Sequence, residues 1–182
     1  PKAFAVGQAY PKRSLSQAVR PEMEALARET GESVNLAVPL GREALYLDQV
    51  EGTKLVRLFT APGSRAPLHA TGVGKVFLAY LGVPEGLSLT PYTPHTLTRL
   101  PDLLRELEAV RGRGYALDNE EKELGVRCVA APVFGASGGV VAARSLSAPA
   151  SRLSLEEAHR LAPRVVEAAR RASLRLGYTG EV

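Results

Sequence analysis

Two apolar runs flank the glycine-rich stretch Gly135–Gly139, and together they constrain the fold more than any other part of the chain. Each run is rich in valine and alanine, so the two read as strands joined in an antiparallel hairpin. Side chains two apart on a strand share a face. One face of the first run carries Val126, Cys128 and Ala130, and one face of the second carries Ser145 and Ser147. With the loop centred on Ala136 and Ser137, Cys128 is expected opposite Ser145 and Val126 opposite Ser147. Opposed residues in an antiparallel pair point the same way. The product is a wall that is part apolar and part hydroxyl, better suited to a small polar molecule than to a dry core.

The rest of the chain supplies what this hairpin packs against. Ser14 to Thr30 reads as a helix with Leu15, Val19, Met23, Leu26 and Ala27 on one side, Pro21 as a kink or restart, and Gly31 as a stop. Three strand-like runs follow, Ser33–Pro39, Glu43–Val50 and Lys54–Phe59, separated by glycine turns. Thr71 to Leu81 reads as a helix, residues 82–98 as a surface loop, and Leu100 to Arg111 as a second helix with Leu103, Leu104, Leu107 and Val110 inward. Ser154 and Glu157 form a capping box for a last helix ending near Leu176, with Pro163 marking an irregular start. Strands in two blocks with segregated helices predict an α+β fold and a single domain.

Composition excludes several classes. A chain of 182 residues, 45% hydrophobic, is long enough for a sizeable core. No apolar run approaches the roughly 20 residues that cross a bilayer, so no membrane partner is expected. One cysteine rules out an intramolecular disulfide, and with no leader visible a reducing cytoplasm is expected. The first residue is Pro, which suggests a piece of something longer. The net charge of +4 is spread over helices that also carry acids, so nucleic acid is not the expected partner of these residues.

Four groups of residues bear on chemistry. Arg65 to Lys75, RAPLHATGVGK, delivers a loop to a helix that opens on two glycines. Unpaired N–H groups there favour an anion, so a carboxylate fits against Gly72 and Val73. The plainer account is that the glycines let the helix pack tightly. A phosphate loop is excluded, because His69 and Val76 stand where that motif needs Gly and Ser/Thr. Cys128 reads as inert or pocket-lining rather than nucleophilic, since only His69 of the three histidines falls near it in the pattern. His69, Asp118 and Cys128 are of metal-ligand type but lack paired spacing, so neither metal nor cofactor is expected. Asp118, directly after the apolar Tyr115-Ala116-Leu117, is expected to turn inward; Glu120, Glu121 and Glu123 are expected at the surface.

Three segments, GESVNLAVPLGREALYLDQVEG, GSRAPLHATGVGKVFLAYL and RGRGYALDNEEKELGVRCVAAPVFGASGGVVAARSLSAPASRL, together resemble the C-terminal effector-binding domain of the IclR family of bacterial transcriptional regulators. The resemblance covers nearly all of residues 14–177. It implies a GAF/PAS-like domain, a curved antiparallel sheet of about six strands flanked by helices, with a small-molecule effector held on the sheet. It implies no catalysis, and self-association as a homodimer or homotetramer. DNA would be contacted only through a winged helix-turn-helix upstream, with residues 1–13 as the remnant of the linker from it and 178–182 as a tail. Known effectors of the family are mostly small carboxylates and aromatic compounds.

Position by position, the resemblance implies an effector site of Ala66, Gly72, Val73, Asp118, Val126, Cys128, Ser145 and Ser147. Arg144 stands where the family is usually apolar. By parity it points away from the serines, toward solvent or a partner. Two other classes stay open on the residues alone: an enzyme using Cys128, and a structural oligomerisation domain.

Overall fold

The computed structural model describes residues 12–180. The expected linker remnant lies almost wholly outside them. In chain order the elements are α1 (Lys12–Thr30), β1 (Ser33–Leu40), β2 (Glu43–Val50), β3 (Arg65–Pro67), α2 (Gly72–Leu81), α3 (Leu100–Arg113), β4 (Ala116–Asn119), β5 (Val126–Phe134), β6 (Val140–Pro149) and α4 (Leu155–Arg175). The strands form one six-stranded antiparallel sheet in the order β3-β2-β1-β6-β5-β4.

Helices cover both faces, which explains why the central strands are apolar nearly throughout. On one face Leu36, Val129, Val133, Ala142 and Leu146 pack under α1 and α4 against Met23, Val165 and Ala169. On the other, Ala37, Ala130 and Ala143 pack under α2 and α3 against Val73, Phe77 and Leu107. The side chains differ in size for a reason: alanines in the sheet let the short, glycine-led α2 approach closely.

Several expectations need correction. Lys54–Phe59 is not a strand. Its composition is strand-like, but β3 at Arg65–Pro67 takes the free edge of β2 instead, and Leu55 is left 93% exposed. Leu104 is 47% exposed, because α3 packs only along the seam of Leu103, Leu107 and Val110. Neither Pro21 nor Pro163 interrupts its helix. Both are exposed, as are Gln17 and His159 four residues earlier, so water can bond the carbonyls that lose a donor.

Arg144 does point away from the serines, yet it meets neither solvent nor a partner. It is completely buried, and its guanidinium donates to Ala168 O at 2.9 Å and Val19 O at 2.8 Å. It thereby ties α4 and α1 to the middle of β6. Burial lowers its pKa to about 10, so the guanidinium remains charged at neutral pH.

Candidate functional site

The register of the central hairpin decides what shares a wall. Cys128 stands opposite Ser147, Ala130 opposite Ser145, and Val126 opposite Pro149. This differs by two residues from the pairing expected of a loop centred on Ala136 and Ser137. The loop spans 135–139, which moves its centre by half a residue and the pairing by one. An irregularity between Val133 and Phe134 moves it by one more. A single slip would have turned both serines to the other face. Two slips restore parity, so Cys128, Ser145 and Ser147 still point the same way.

Two rows of side chains result. Asp118, Cys128, Ser147 and Ser33 form one row across β4, β5, β6 and β1. Ala116, Ala130, Ser145, Asn35 and Gln49 form the next. The start of α2 lies on the second row. A Cβ on Gly74 would stand 2.4 Å from Leu68 Cα, so that glycine is required by close packing, while one on Gly72 would stand 3.0 Å from Ala130 Cβ, a tight fit that a shift of a few tenths of an ångström would relieve. Thr71 caps the helix, accepting from Gly74 N–H at 3.1 Å and donating to Pro67 O at 2.7 Å. The amides of Gly72 and Val73 precede the capped one.

The first row extends past the end of α2 and is roofed by loops, leaving a cavity of about 300 Å³. Ser147, Cys128, Asp118 and Val126 line it from the sheet, Ala66 and Thr71 from the side, and Leu58 to Ala61 from above. Of the residues expected from sequence, Ala66, Asp118, Val126, Cys128 and Ser147 therefore meet at one hollow. Gly72, Val73 and Ser145 are buried next to it and do not line it.

Electrostatics at the floor follow from burial. Asp118 is buried, and loss of solvent is the main reason its carboxyl is pushed up to about 7, reinforced by Glu121 and opposed by the hydrogen bond from Glu121 N–H and by Lys75. Burial also pushes the Cys128 thiol well above its usual range, with Asp118 adding to the effect and Ser147 opposing it. The Ser147 hydroxyl lies 3.1 Å from Cys128 Sγ. None of His69, His95 and His159 lines the cavity. A thiol held protonated by burial and by a neighbouring carboxyl, with no imidazole beside it, is a poor nucleophile. Among the described residues no group of three His, Cys, Asp or Glu side chains is placed to hold a metal ion.

Sequence reasoning missed several groups. Tyr46 on β2 lines the cavity, and burial, together with nearby Cys128 and Asp118, raises its phenol pKa. Lys122 and Glu123 line it from the segment after β4. Glu121, expected at the surface, is buried instead, because it bonds Lys75, itself buried, at 3.0 Å. Asn35 is buried and donates to both serines, at 3.2 Å to Ser145 and 3.1 Å to Ser147. The alternation of β1 puts Asn35 on a definite face; nothing local says that β1 lies beside β6.

Comparison with known proteins agrees with this architecture. A family profile described as the bacterial transcriptional regulator IclR C-terminal domain matches residues 8–174. The HTH-type transcriptional regulator BhcR of Paracoccus denitrificans (strain Pd 1222) is 39% identical over 180 residues, which is 95% of this chain and 64% of BhcR. The chain thus spans slightly under two thirds of that relative. The crystal structure of Thermotoga maritima IclR superposes with a TM-score of 0.82 at 34% identity, over 97% of this chain and 73% of that one. The inducer-binding domain of a double mutant of Acinetobacter PobR, in complex with 3-hydroxybenzoic acid, superposes with a TM-score of 0.78 at 26% identity, over 86% of this chain and 96% of that one. With the profile spanning nearly its whole length and the fold superposing on solved members, the chain belongs to the IclR family of bacterial transcriptional regulators and carries the family's C-terminal domain.

Proposed function

We propose that this domain senses a small carboxylate or aromatic acid in the cavity above Ser147 and Cys128 and reports its presence to the rest of a transcriptional regulator. The observation that carries the reading is a hollow of about 300 Å³ whose floor combines a hydroxyl, a thiol and a carboxyl beside a helix start. The ligand carboxylate sits toward Thr71 at the helix start, where the helix dipole favours negative charge, with Gly72 and Val73 behind it. Ser147 donates to it, with Ser145 behind. Cys128, Val126, Ala66 and Tyr46 shape the apolar part, and Asp118 takes a hydroxyl of the ligand or holds a neighbouring donor.

The domain is not a catalyst on this reading, since no histidine lines the cavity beside Cys128 and burial with the neighbouring Asp118 carboxyl keeps its thiol protonated. It works in the cytoplasm by linkage. An effector that binds one arrangement of the regulator better shifts the population toward it. Self-association into dimers or tetramers is part of the same reading. DNA is contacted by a winged helix-turn-helix domain other than this one, so these 182 residues are expected not to retard a promoter fragment in an electrophoretic shift at physiological salt.

The test is a thermal-shift panel of small hydroxy-, oxo- and aromatic acids, with 3-hydroxybenzoate first because the PobR domain is solved with it. Calorimetry on a hit should show that replacing Ser145 and Ser147 together by Ala weakens binding by about 1–3 kcal/mol. A panel without a hit, or unchanged affinity in the double variant, refutes the reading.

A further inference from the structure

Asn35 is not among the expected site residues, yet it is the centre of a hydrogen-bond chain that crosses the sheet. The main-chain N–H of Thr60 donates to Gln49 Oε1 at 3.2 Å. Gln49 Nε2 donates to Asn35 Oδ1 at 2.8 Å. Asn35 Nδ2 spends its two hydrogens on Ser145 Oγ and Ser147 Oγ.

The direction of this chain is fixed at its origin. A main-chain N–H donates and never accepts, so the oxygen of Gln49 must face Thr60. Its NH2 group then faces Asn35, the oxygen of Asn35 faces Gln49, and the NH2 group of Asn35 faces the serines. Reversing any one link sets two donors or two acceptors against each other, part-buried at Gln49 and fully buried at the serines, where an unsatisfied polar group is costly. The serine oxygens are therefore acceptors toward Asn35, and their own hydrogens must point elsewhere. For Ser147 that means Cys128 Sγ or the cavity. Ser145 Oγ makes no hydrogen bond other than the one from Asn35 among the described residues.

We propose that Asn35 is the positioning residue of the effector site: with its polarity set by Thr60 N–H through Gln49, it holds the Ser147 hydroxyl as a donor toward the cavity that Ser147 lines, with Ser145 fixed behind it. The site then selects a ligand that presents an acceptor oxygen there, carboxylate or carbonyl, over one that presents N–H or ammonium. This rests on the effector reading above. It also links wall and roof, because Thr60 belongs to the segment that covers the cavity.

Two measurements on the 182-residue chain decide it. In nuclear Overhauser spectra of the ligand-free protein, the Asn35 side-chain amide protons should contact the β-protons of Ser145 and Ser147 and exchange slowly with water. Contacts to the Gln49 side chain instead, or rapid exchange, overturn the proposal. The second measurement uses 3-hydroxybenzoate and the similarly shaped 3-hydroxybenzylamine as probes. The wild type should prefer the benzoate. In Asn35→Leu, which is uncharged and frees both hydroxyls to rotate, the ratio of the two affinities should fall by about tenfold, equivalent to one lost hydrogen-bond preference. An unchanged ratio in a variant that melts as cooperatively as wild type also overturns it. Failure of both probes to bind the wild type counts against the effector reading, and the amide contacts then decide the direction of the chain by themselves.

Discussion

Lys75 Nζ stands 3.0 Å from each carboxylate oxygen of Glu121, and both side chains are buried. The pair joins α2 to the segment after β4. Glu121 also accepts from Asn119 N–H at 2.8 Å, while Lys75 lies 3.6 Å from Glu106, which in turn pairs with Arg113. Since Lys122 and Glu123 follow directly and line the cavity, this ion pair holds one side of the candidate site against the helix that starts on the other side.

Removing one partner should be worse than removing both. Lys75→Met leaves Glu121 buried and uncompensated, and is expected to cost about 3–5 kcal/mol. Lys75→Met combined with Glu121→Leu should recover more than half of that loss. Urea unfolding of the two single variants and the double variant measures the coupling, and additive losses would show that the pair does not act as a unit.

Asp118 makes stability depend on pH with a definite sign. Its carboxyl, ordinarily at 3.8, is pushed up to about 7 in the folded protein, chiefly by burial. Between those values the folded state binds the extra proton, so this group's contribution to stability declines as pH rises through the window. Asp118→Asn keeps an acceptor for Glu121 N–H and removes the ionisation. At pH 8 the variant should melt above wild type, by about 2–4 °C for each kcal/mol gained. The difference should vanish near pH 4. Parallel melting curves across that range would contradict the assigned environment.

Arg144 should be replaceable by an apolar residue of its own length. The carbonyls of Val19 and Ala168 already lie inside helices, so they do not depend on the guanidinium. Arg144→Met is expected within about 1 kcal/mol of wild type, because a buried charge is exchanged for packing. Arg144→Ala leaves a cavity and should cost about 2–5 kcal/mol. Guanidinium unfolding separates the two, and an equally large loss in both would mean that the charge itself is needed.

Cys128 should behave as a protected thiol. With its pKa raised by burial, iodoacetamide at pH 8 is expected to modify the native protein far more slowly than the urea-unfolded chain. A bound effector should slow the reaction further, since Cys128 lines the cavity. Rapid native alkylation would reopen a nucleophilic role.

What could be read locally was read from local physics. The period of two in Val126–Ala130 and Ser145–Ser147 put the thiol and both hydroxyls on one face, and the α+β class followed from the order of runs and turns, while the curved sheet of about six strands was implied by the resemblance. The resemblance carried the site residues, and five of the eight line one cavity. Lys54–Phe59 has strand-like residues, but a strand needs a free edge, and that edge was taken by Arg65–Pro67.

The amino-acid order determined which faces are apolar, because periodicity is a property of the backbone within a few residues. Only the tertiary structure decided what those faces meet. The pairing of Cys128 with Ser147 depends on an irregularity in the strand, the burial of Arg144 on two helices more than 140 residues apart closing over it, and the bond from Asn35 to Ser145 on β1 lying against β6 across 110 residues. Contacts of that range are chosen by the whole core as it packs, and no short window of sequence contains both of their ends.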